Sequence, residues 1–381
     1  MEVGIVGLQG TGKSTLFHAL TEGAGGTTRG GGGAVAPNIG MARVPDPRLQ
    51  AIAQFIKTKQ IIPATLRLVD IPGFPTGGGA GAPPGGAFAR QVLAHIREVD
   101  ALCHVVRCFR EDTGGTPVPL TPVPLTPGAD IEAMEMEMIF ADLAVAEPAL
   151  DKASRGARAG EREQKARLSA LEKTLPVLNE GRPIRSIMHT LSPDERAAVR
   201  GYGMITAKPV LYLANVGEGD VGSDGGRDAR SPQSSAAQEV RRLAREAGGE
   251  AVDVCAKLEA ELVELEPGDR QEMLTSLGLT EPALGVVARG LYKLLGLTSF
   301  YTAGDKEVRA WPIPHDALAP EAAGVIHSDI QRGFIRAECY HVNDLVELKT
   351  EKAIKYAGRM RSEGKGYAMQ DGDVVYFLFN V

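Results

Sequence analysis

The sequence predicts an α/β protein built on a mostly parallel sheet, with an inserted α-helical hairpin and a smaller β-rich C-terminal part. Three observations carry this. Short apolar strands recur at residues 3–6, 65–70, 101–109 and 209–214, with helical or loop-like segments between them, the alternation from which parallel sheets are built. Residues 131–177 hold the helical period, with Ile131, Met134, Met138, Leu143 and Ala146 on one face. From about residue 298 strand-like segments return at 308–313, 334–340, 344–348 and 374–380, crossed by a basic helix over 349–361.

Composition bounds the function. The chain has 381 residues, 43% apolar and 24% charged, ample for a sizeable core at about 100–200 residues per domain. A net charge of −6 argues against holding nucleic acid by bulk charge, and no DNA partner is expected; a local basic patch stays open. The N-terminus lacks a basic region followed by an apolar core, and no apolar run approaches the ~18 residues of a membrane span. Cys103, Cys108, Cys255 and Cys339 are too scattered for a zinc site, so buried thiols in a reducing compartment are expected. A cytoplasmic protein with no membrane partner follows. Monomer is the default, because no heptad seam is sustained.

Within the first part, residues 13–20 read as a helix after a Gly-rich turn, and 88–99 as a helix before the third strand. Two segments are loops by composition, 23–33 with seven Gly in eleven and 77–86 with six in ten. Residues 116–127 repeat Thr-Pro-Val-Pro-Leu, a polyproline spacer, and 217–237 is a polar loop. The expected division is 1–130 with 195–297 as the nucleotide-binding domain, 131–194 as the helical insert and 298–381 as the C-terminal domain.

The chemistry concentrates at strand ends, where open α/β sheets bind ligands. Gly7-Leu8-Gln9-Gly10-Thr11-Gly12-Lys13-Ser14 fits G-x-x-x-x-G-K-[ST] between a strand and a helix, the context that gives this motif its weight. Its glycines let backbone N–H groups turn toward phosphate oxygens, at the positive end of the following helix. Gln9, Gly10, Thr11, Gly12, Lys13, Ser14 and Thr15 are therefore the candidate phosphate-binding set. Lys13 would bridge the β- and γ-phosphates as a catalytic group, and Ser14 would hold Mg²⁺. Asp70 ends the second apolar strand and opens Asp70-Ile71-Pro72-Gly73. Its carboxylate is a second Mg²⁺ candidate, and the Gly73 N–H can meet a γ-phosphate. Asn215-Val216-Gly217-Glu218 occupies the place of the N-K-x-D base reader, with Val for Lys and Glu for Asp. The longer Glu218 side chain displaces the guanine-reading carboxylate, and the Asn215 amide could instead pair with adenine. ATP is favoured, with GTP tolerated.

With these parts in order the chain resembles the YchF/Obg-like ATPases, among P-loop NTPases. The resemblance covers most of the chain, through Pro37-Asn38-Ile39-Gly40, Val44-Pro45-Asp46-Pro47-Arg48-Leu49 and His95-Ile96-Arg97-Glu98-Val99-Asp100. It continues through His104-Val105-Val106-Arg107-Cys108-Phe109, Phe300-Tyr301-Thr302-Ala303-Gly304, Gly333-Phe334-Ile335-Arg336-Ala337-Glu338 and Gln370-Asp371-Gly372-Asp373-Val374. It implies a G domain, a helical insert and a C-terminal β-grasp TGS domain, with nucleotide-dependent association with ribosomes or ribosomal RNA. It also offers His104 as a catalytic candidate; a hydrogen-bonded histidine in an apolar strand is the other reading. Phe74 stands where Ras-like switches carry a water-orienting Gln, so intrinsic hydrolysis should be slow or need another group. Two departures from the family pattern stand out. Ala34 replaces a first-switch Thr, for which Thr27 or Thr28 could substitute, and the second switch reads Gly85-Gly86-Ala87-Phe88-Ala89-Arg90.

Two functions are open on these grounds. One is a slow ribosome-associated ATPase switch; the other is a non-hydrolysing nucleotide, RNA or ribosome-binding module with a degenerate site. A small-molecule kinase would leave the C-terminal domain and Asn215-Val216-Gly217-Glu218 without a role. Basic residues for RNA are offered by Lys349, Lys352, Lys355, Arg359, Arg361 and Lys365, of which Lys352, Lys355 and Arg359 fall on one helical face, and by residues 151–173 of the insert.

Overall fold

The computed structural model describes residues 1–22, 37–74, 87–109, 125–159, 161–221 and 235–380. The two Gly-rich stretches, Ala34, Thr27 and Thr28, most of the Pro-rich repeat and residues 222–234 lie outside them. The chain divides into two compact units, residues 1–41 with 67–287 and residues 42–66 with 288–381.

The strands are β1 (Glu2–Val6), β2 (Asn38–Arg43), β3 (Ile61–Ile62), β4 (Thr65–Asp70), β5 (Ala101–Cys108), β6 (Val210–Val216) and β7 (Glu250–Val254). The C-terminal ones are β8 (Leu297–Ala303), β9 (Val308–Pro314), β10 (Phe334–His341), β11 (Arg361–Glu363) and β12 (Asp373–Phe379). The helices begin with α1 (Lys13–Leu20), α2 (Pro47–Phe55), α3 (Ala87–Glu98), α4 (Pro127–Arg158) and α5 (Arg162–Asn179). They continue with α6 (Pro193–Gly201), α7 (Ser235–Glu246), α8 (Ala256–Glu264), α9 (Pro267–Ser276) and α10 (Ala283–Leu294), then α11 (Ala319–Ile326), α12 (Ser328–Arg332), α13 (Val342–Leu348) and α14 (Glu351–Tyr356).

The first sheet runs β2-β4-β1-β5-β6-β7. The pairs β4–β1, β1–β5, β5–β6 and β6–β7 are parallel, with Val3 opposite both Leu68 and Ala101. All seven residues of β6 are buried, the continuous apolar run of a strand covered on both faces. Two of the six strands, β2 and β7, are additional to the expected four, and β6 extends through Asn215 and Val216. Both residues therefore sit in the strand's last turn of pleat and not in the loop after it.

Helix α4 serves two cores. Its first turns put Ile131, Met134 and Met138 into the core beneath the sheet, beside Leu102, Val106 and Tyr212. Further along, Ile139, Ala146 and Ala153 pack on Ala170, Leu171, Leu175 and Leu178 of α5. The Met stripe is thus core, and each fully buried apolar side chain contributes about 1.5–3 kcal/mol. The foot of the insert is held by buried charge. Asp142, fully buried, accepts from Ile205 N at 2.8 Å, Thr206 N at 2.8 Å and the Thr206 hydroxyl at 2.7 Å. From the end of α3, Arg97 donates to Ala141 O at 2.9 Å and Gly203 O at 3.0 Å. At α6, Ser192 and Glu195 form a reciprocal cap.

The second unit holds a mixed sheet, β11-β10-β12-β8-β9-β3, with helices packed against it. Residues 42–66 join it through local chemistry. Asp46 caps α2 by accepting from Arg48 N at 3.0 Å, Tyr301 donates its hydroxyl to the same carboxylate, and Arg48 reaches Asp371 at 2.6 Å. Two expectations are corrected here. Residues 344–348 are helical, because His341 Nδ1 accepts from Asn343 N at 3.1 Å and Asp344 caps the His341 N–H at 3.2 Å. The basic helix is only α14: Lys349 takes φ +65° and Gly358 φ +70° on either side of it. The one-sided basic face is likewise reduced, since Arg359 binds Asp344 and Glu347 and Arg361 binds the buried Asp373.

Replacing Asp142 by Ala strands three hydrogen-bond donors in the interior. Urea denaturation of Asp142→Ala should show a loss of about 3 kcal/mol; an unmoved midpoint would contradict the role given to this carboxylate.

Candidate functional site: a phosphate-binding loop

The loop between β1 and α1 needs glycine for stated reasons. Gly7, Gly10 and Gly12 have φ of 149°, 76° and 88°, values L side chains rarely adopt. A Cβ on Gly7 would stand 2.5 Å from the Val105 carbonyl, and one on Gly12 would overlap the Asn215 amide. The loop is braced from within by the Thr11 hydroxyl, which donates to Leu8 O at 3.0 Å. Lys13 is buried, and its ammonium donates to Leu8 O at 2.6 Å. Burial lowers the Lys13 pKa to about 8, against the pull of Asp70.

The Asp70 segment closes on this loop. Ser14 Oγ donates to Asp70 Oδ2 at 3.1 Å. Burial raises the Asp70 pKa, opposed by hydrogen bonds from Ser14 and Asn38 and by the charge of Lys13. Leu8 and Phe74 form a parallel bridge, and Gln9 N donates to Phe74 O at 2.9 Å. A Cβ on Gly73 would lie 2.5 Å from Lys13 Nζ, so only glycine lets the ammonium approach here. Lys13, Ser14, Asp70 and Gly73 therefore converge. A hydroxyl and a carboxylate side by side are hard oxygen donors, and Mg²⁺ takes one or two such groups, completing its shell with phosphate and water. The donor set fits that ion. Thr15 and Gln9 are exposed at the mouth of the loop.

Asn215 is buried and committed. Its Nδ2 donates to Thr11 O at 2.9 Å and its Oδ1 accepts from Ala256 N at 3.0 Å. This brings in Cys255-Ala256-Lys257 at the start of α8, which sequence reasoning missed. The signal available was a helix start directly after a short strand, the same arrangement that marks the phosphate loop. Val216 is buried, and Glu218 pairs with Lys257 at 2.7 Å on the surface.

His104 lies in the middle of β5, opposite Val6 and Tyr212. It is 2% exposed, its ring centroid is 5.4 Å from that of Tyr212, and burial, with Arg185 and Lys13 nearby, pushes its pKa down to about 3. Its imidazole is neutral near pH 7 and shielded from solvent. Below it Arg185 pairs with Glu135 and donates to Tyr212 Oη at 3.0 Å.

A parallel sheet whose first strand runs into this loop, faced by a carboxylate from the neighbouring strand, defines a P-loop nucleotide-binding protein of the GTPase-like class. Family models agree: one described as "50S ribosome-binding GTPase" matches residues 2–134, and the YchF-GTPase_C model, "Protein of unknown function", matches 297–380. The chain is 42% identical to "Ribosome-binding ATPase YchF" of Haemophilus ducreyi over 99% of both chains, and 37% identical to that of Bacillus subtilis over 100% of both. The solved Schizosaccharomyces pombe YchF GTPase superposes with a TM-score of 0.81 at 29% identity, over 99% of this chain and 97% of that one. The chain belongs to the YchF family.

The depressed Lys13 pKa has a consequence for binding. Phosphate oxyanions need the ammonium form, so triphosphate affinity should hold near pH 7 and fall above about pH 8, toward tenfold per pH unit. Titrations of wild type and Lys13→Ala across that range check this; an equal pH slope in both would contradict it.

Proposed function

We propose that the protein is a ribosome-associated switch that binds ATP with Mg²⁺ and slowly hydrolyses the β–γ phosphoanhydride. The observation that carries this is the convergence of Lys13, Ser14, Asp70 and Gly73 on a glycine-built loop between β1 and α1. The ribosomal partner and the preference for ATP are supported by full-length similarity to ribosome-binding ATPases.

On this reading the residues divide the work as follows. Backbone N–H groups of residues 10–15 cradle the α- and β-phosphates, and Lys13 leaves Leu8 O to neutralise charge on the β- and γ-phosphates. Ser14 and Asp70 would hold Mg²⁺, which supplies charge neutralisation to the phosphates when bound. The Gly73 N–H meets the γ-phosphate. Val216 and Glu218 border the base, with Glu218 free to leave Lys257 because exposed ion pairs are weak, about 0–1 kcal/mol. Asn215 acts by holding the loop, since its carbonyl and one amide hydrogen are already committed. His104 serves as a neutral core imidazole. The C-terminal unit is a TGS domain, residues 131–194 the helical insert, and the cellular compartment the cytoplasm.

A specific observation favours the non-hydrolysing alternative: Phe74 is buried and apolar where a water-orienting group is expected. The deciding experiment titrates fluorescent ATP and GTP analogues with and without Mg²⁺, alongside Lys13→Ala, and then follows phosphate release with ribosomes added. Expected are Mg²⁺-dependent ATP binding, weakened at least ~100-fold (about 2.7 kcal/mol) in Lys13→Ala, and ribosome-stimulated turnover. Binding without turnover would favour the alternative, and no binding of either nucleotide would overturn the hydrolase reading and leave an RNA- or ribosome-binding module with a retired site.

A further inference from the structure

Hydrolysis requires a group that orients water against the γ-phosphorus; Phe74, at the switch-Gln position, is buried and has no polar side-chain atom, and the candidate His104 is enclosed within the sheet. The backbone places a different side chain beside the same point. Gln9 N donates to Phe74 O at 2.9 Å and Phe74 N donates to Gly7 O at 3.3 Å, so the loop and the Asp70 segment form a short ladder with Gln9 on its outer end. The Cβ position of Gly73 stands 2.5 Å from Lys13 Nζ and 3.0 Å from Gln9 N. Gln9 therefore flanks the ammonium that would face the γ-phosphate.

Its neighbours' polar groups have other tasks. The Thr11 hydroxyl is held by Leu8 O, Ser14 by Asp70, and Asn215 by Thr11 and Ala256. Gln9 is exposed, and its side-chain amide has no hydrogen-bond partner among the described residues. Beside it a Cβ on Gly10 would meet no atom within 4 Å, which leaves room for water and phosphate. A primary amide can accept and donate at once, the two contacts that orient an attacking water.

We infer that Gln9 is a catalytic residue of the nucleotide hydrolysis proposed above, on which this inference rests. Its Oε1 accepts a hydrogen from the attacking water and its Nε2 donates to a γ-phosphate oxygen. The water oxygen bonds to the γ-phosphorus, and the bond from that phosphorus to the β–γ bridging oxygen breaks. The electron pair leaves on the nucleoside diphosphate. One water proton passes to a γ-phosphate oxygen, giving inorganic phosphate, and the amide is unchanged.

The test is single-turnover hydrolysis of ATP at saturating enzyme, with Mg²⁺, by full-length wild type, Gln9→Ala and Gln9→Met, with ATP Kd measured for each. Gln9→Met keeps the bulk and removes the amide. At saturating enzyme both variants should hydrolyse bound ATP roughly 10- to 100-fold more slowly, whatever the change in Kd. Wild-type rates in either variant, or a loss that disappears once enzyme is saturated, would overturn the inference and leave the hydrolase reading intact. A wild type that binds ATP without turning it over would overturn both.

Discussion

The site depends on one buried amide. Asn215, next to last in β6, the strand buried along its whole length, ties the Thr11 carbonyl of the phosphate loop to the Ala256 N–H at the start of α8. Gly12 sits against that amide with φ +88°, so the loop passes over Asn215 with no room for a side chain. Two loops from different crossovers are thereby fixed to one rigid strand end, and the helix termini that follow them, α1 and α8, are held at the same edge of the sheet. Buried hydrogen bonds of this kind cost 1–3 kcal/mol to break when a partner is left unsatisfied, which makes the clamp a structural requirement of the site.

Beneath the clamp the same strand carries the charge that roots the helical insert. Tyr212 lies on one side against His104 and receives the Arg185–Glu135 pair from the two ends of the insert. Arg97, at the end of the helix that follows the Asp70 segment, donates to the carbonyls of Ala141 and Gly203, which flank the Asp142 anchor. Removing one member of a buried pair of this kind is costly, because the other charge is left unpaired in the interior. The insert is accordingly attached to the sheet through groups that cannot be individually lost, and its root reaches the strands that carry the phosphate loop and the Asp70 segment.

Much of this was legible from residues alone. The phosphate loop, Asp70 and the central strands announce themselves because apolar runs, turn glycines and a Lys-Ser pair fall in immediate succession. Strand β7 was not legible: Glu250 and Asp253 interrupt a five-residue segment, and its strand character comes from pairing with β6. Residues 344–348 look like strand by composition, yet two short-range caps from His341 and Asp344 make them helical. The attachment of residues 42–66 to the C-terminal unit rests on Asp46, Arg48, Tyr301 and Asp371, more than 250 positions apart for the Asp46–Tyr301 contact. Spacing rules carry no signal over such a range. The sequence marks Asn215 as a functional residue, but its hydrogen bonds to Thr11 and Ala256 appear only when the chain is folded.

The most direct measurement is calorimetric titration of Asn215→Ala with ATP, ADP and GTP, after circular dichroism has shown that the variant folds. If the amide is a clamp, all three nucleotides should weaken together, by roughly 10-fold or more for a lost buried hydrogen bond pair. Unchanged affinities, or a loss confined to ATP, would contradict it and return Asn215 to the role of base reader.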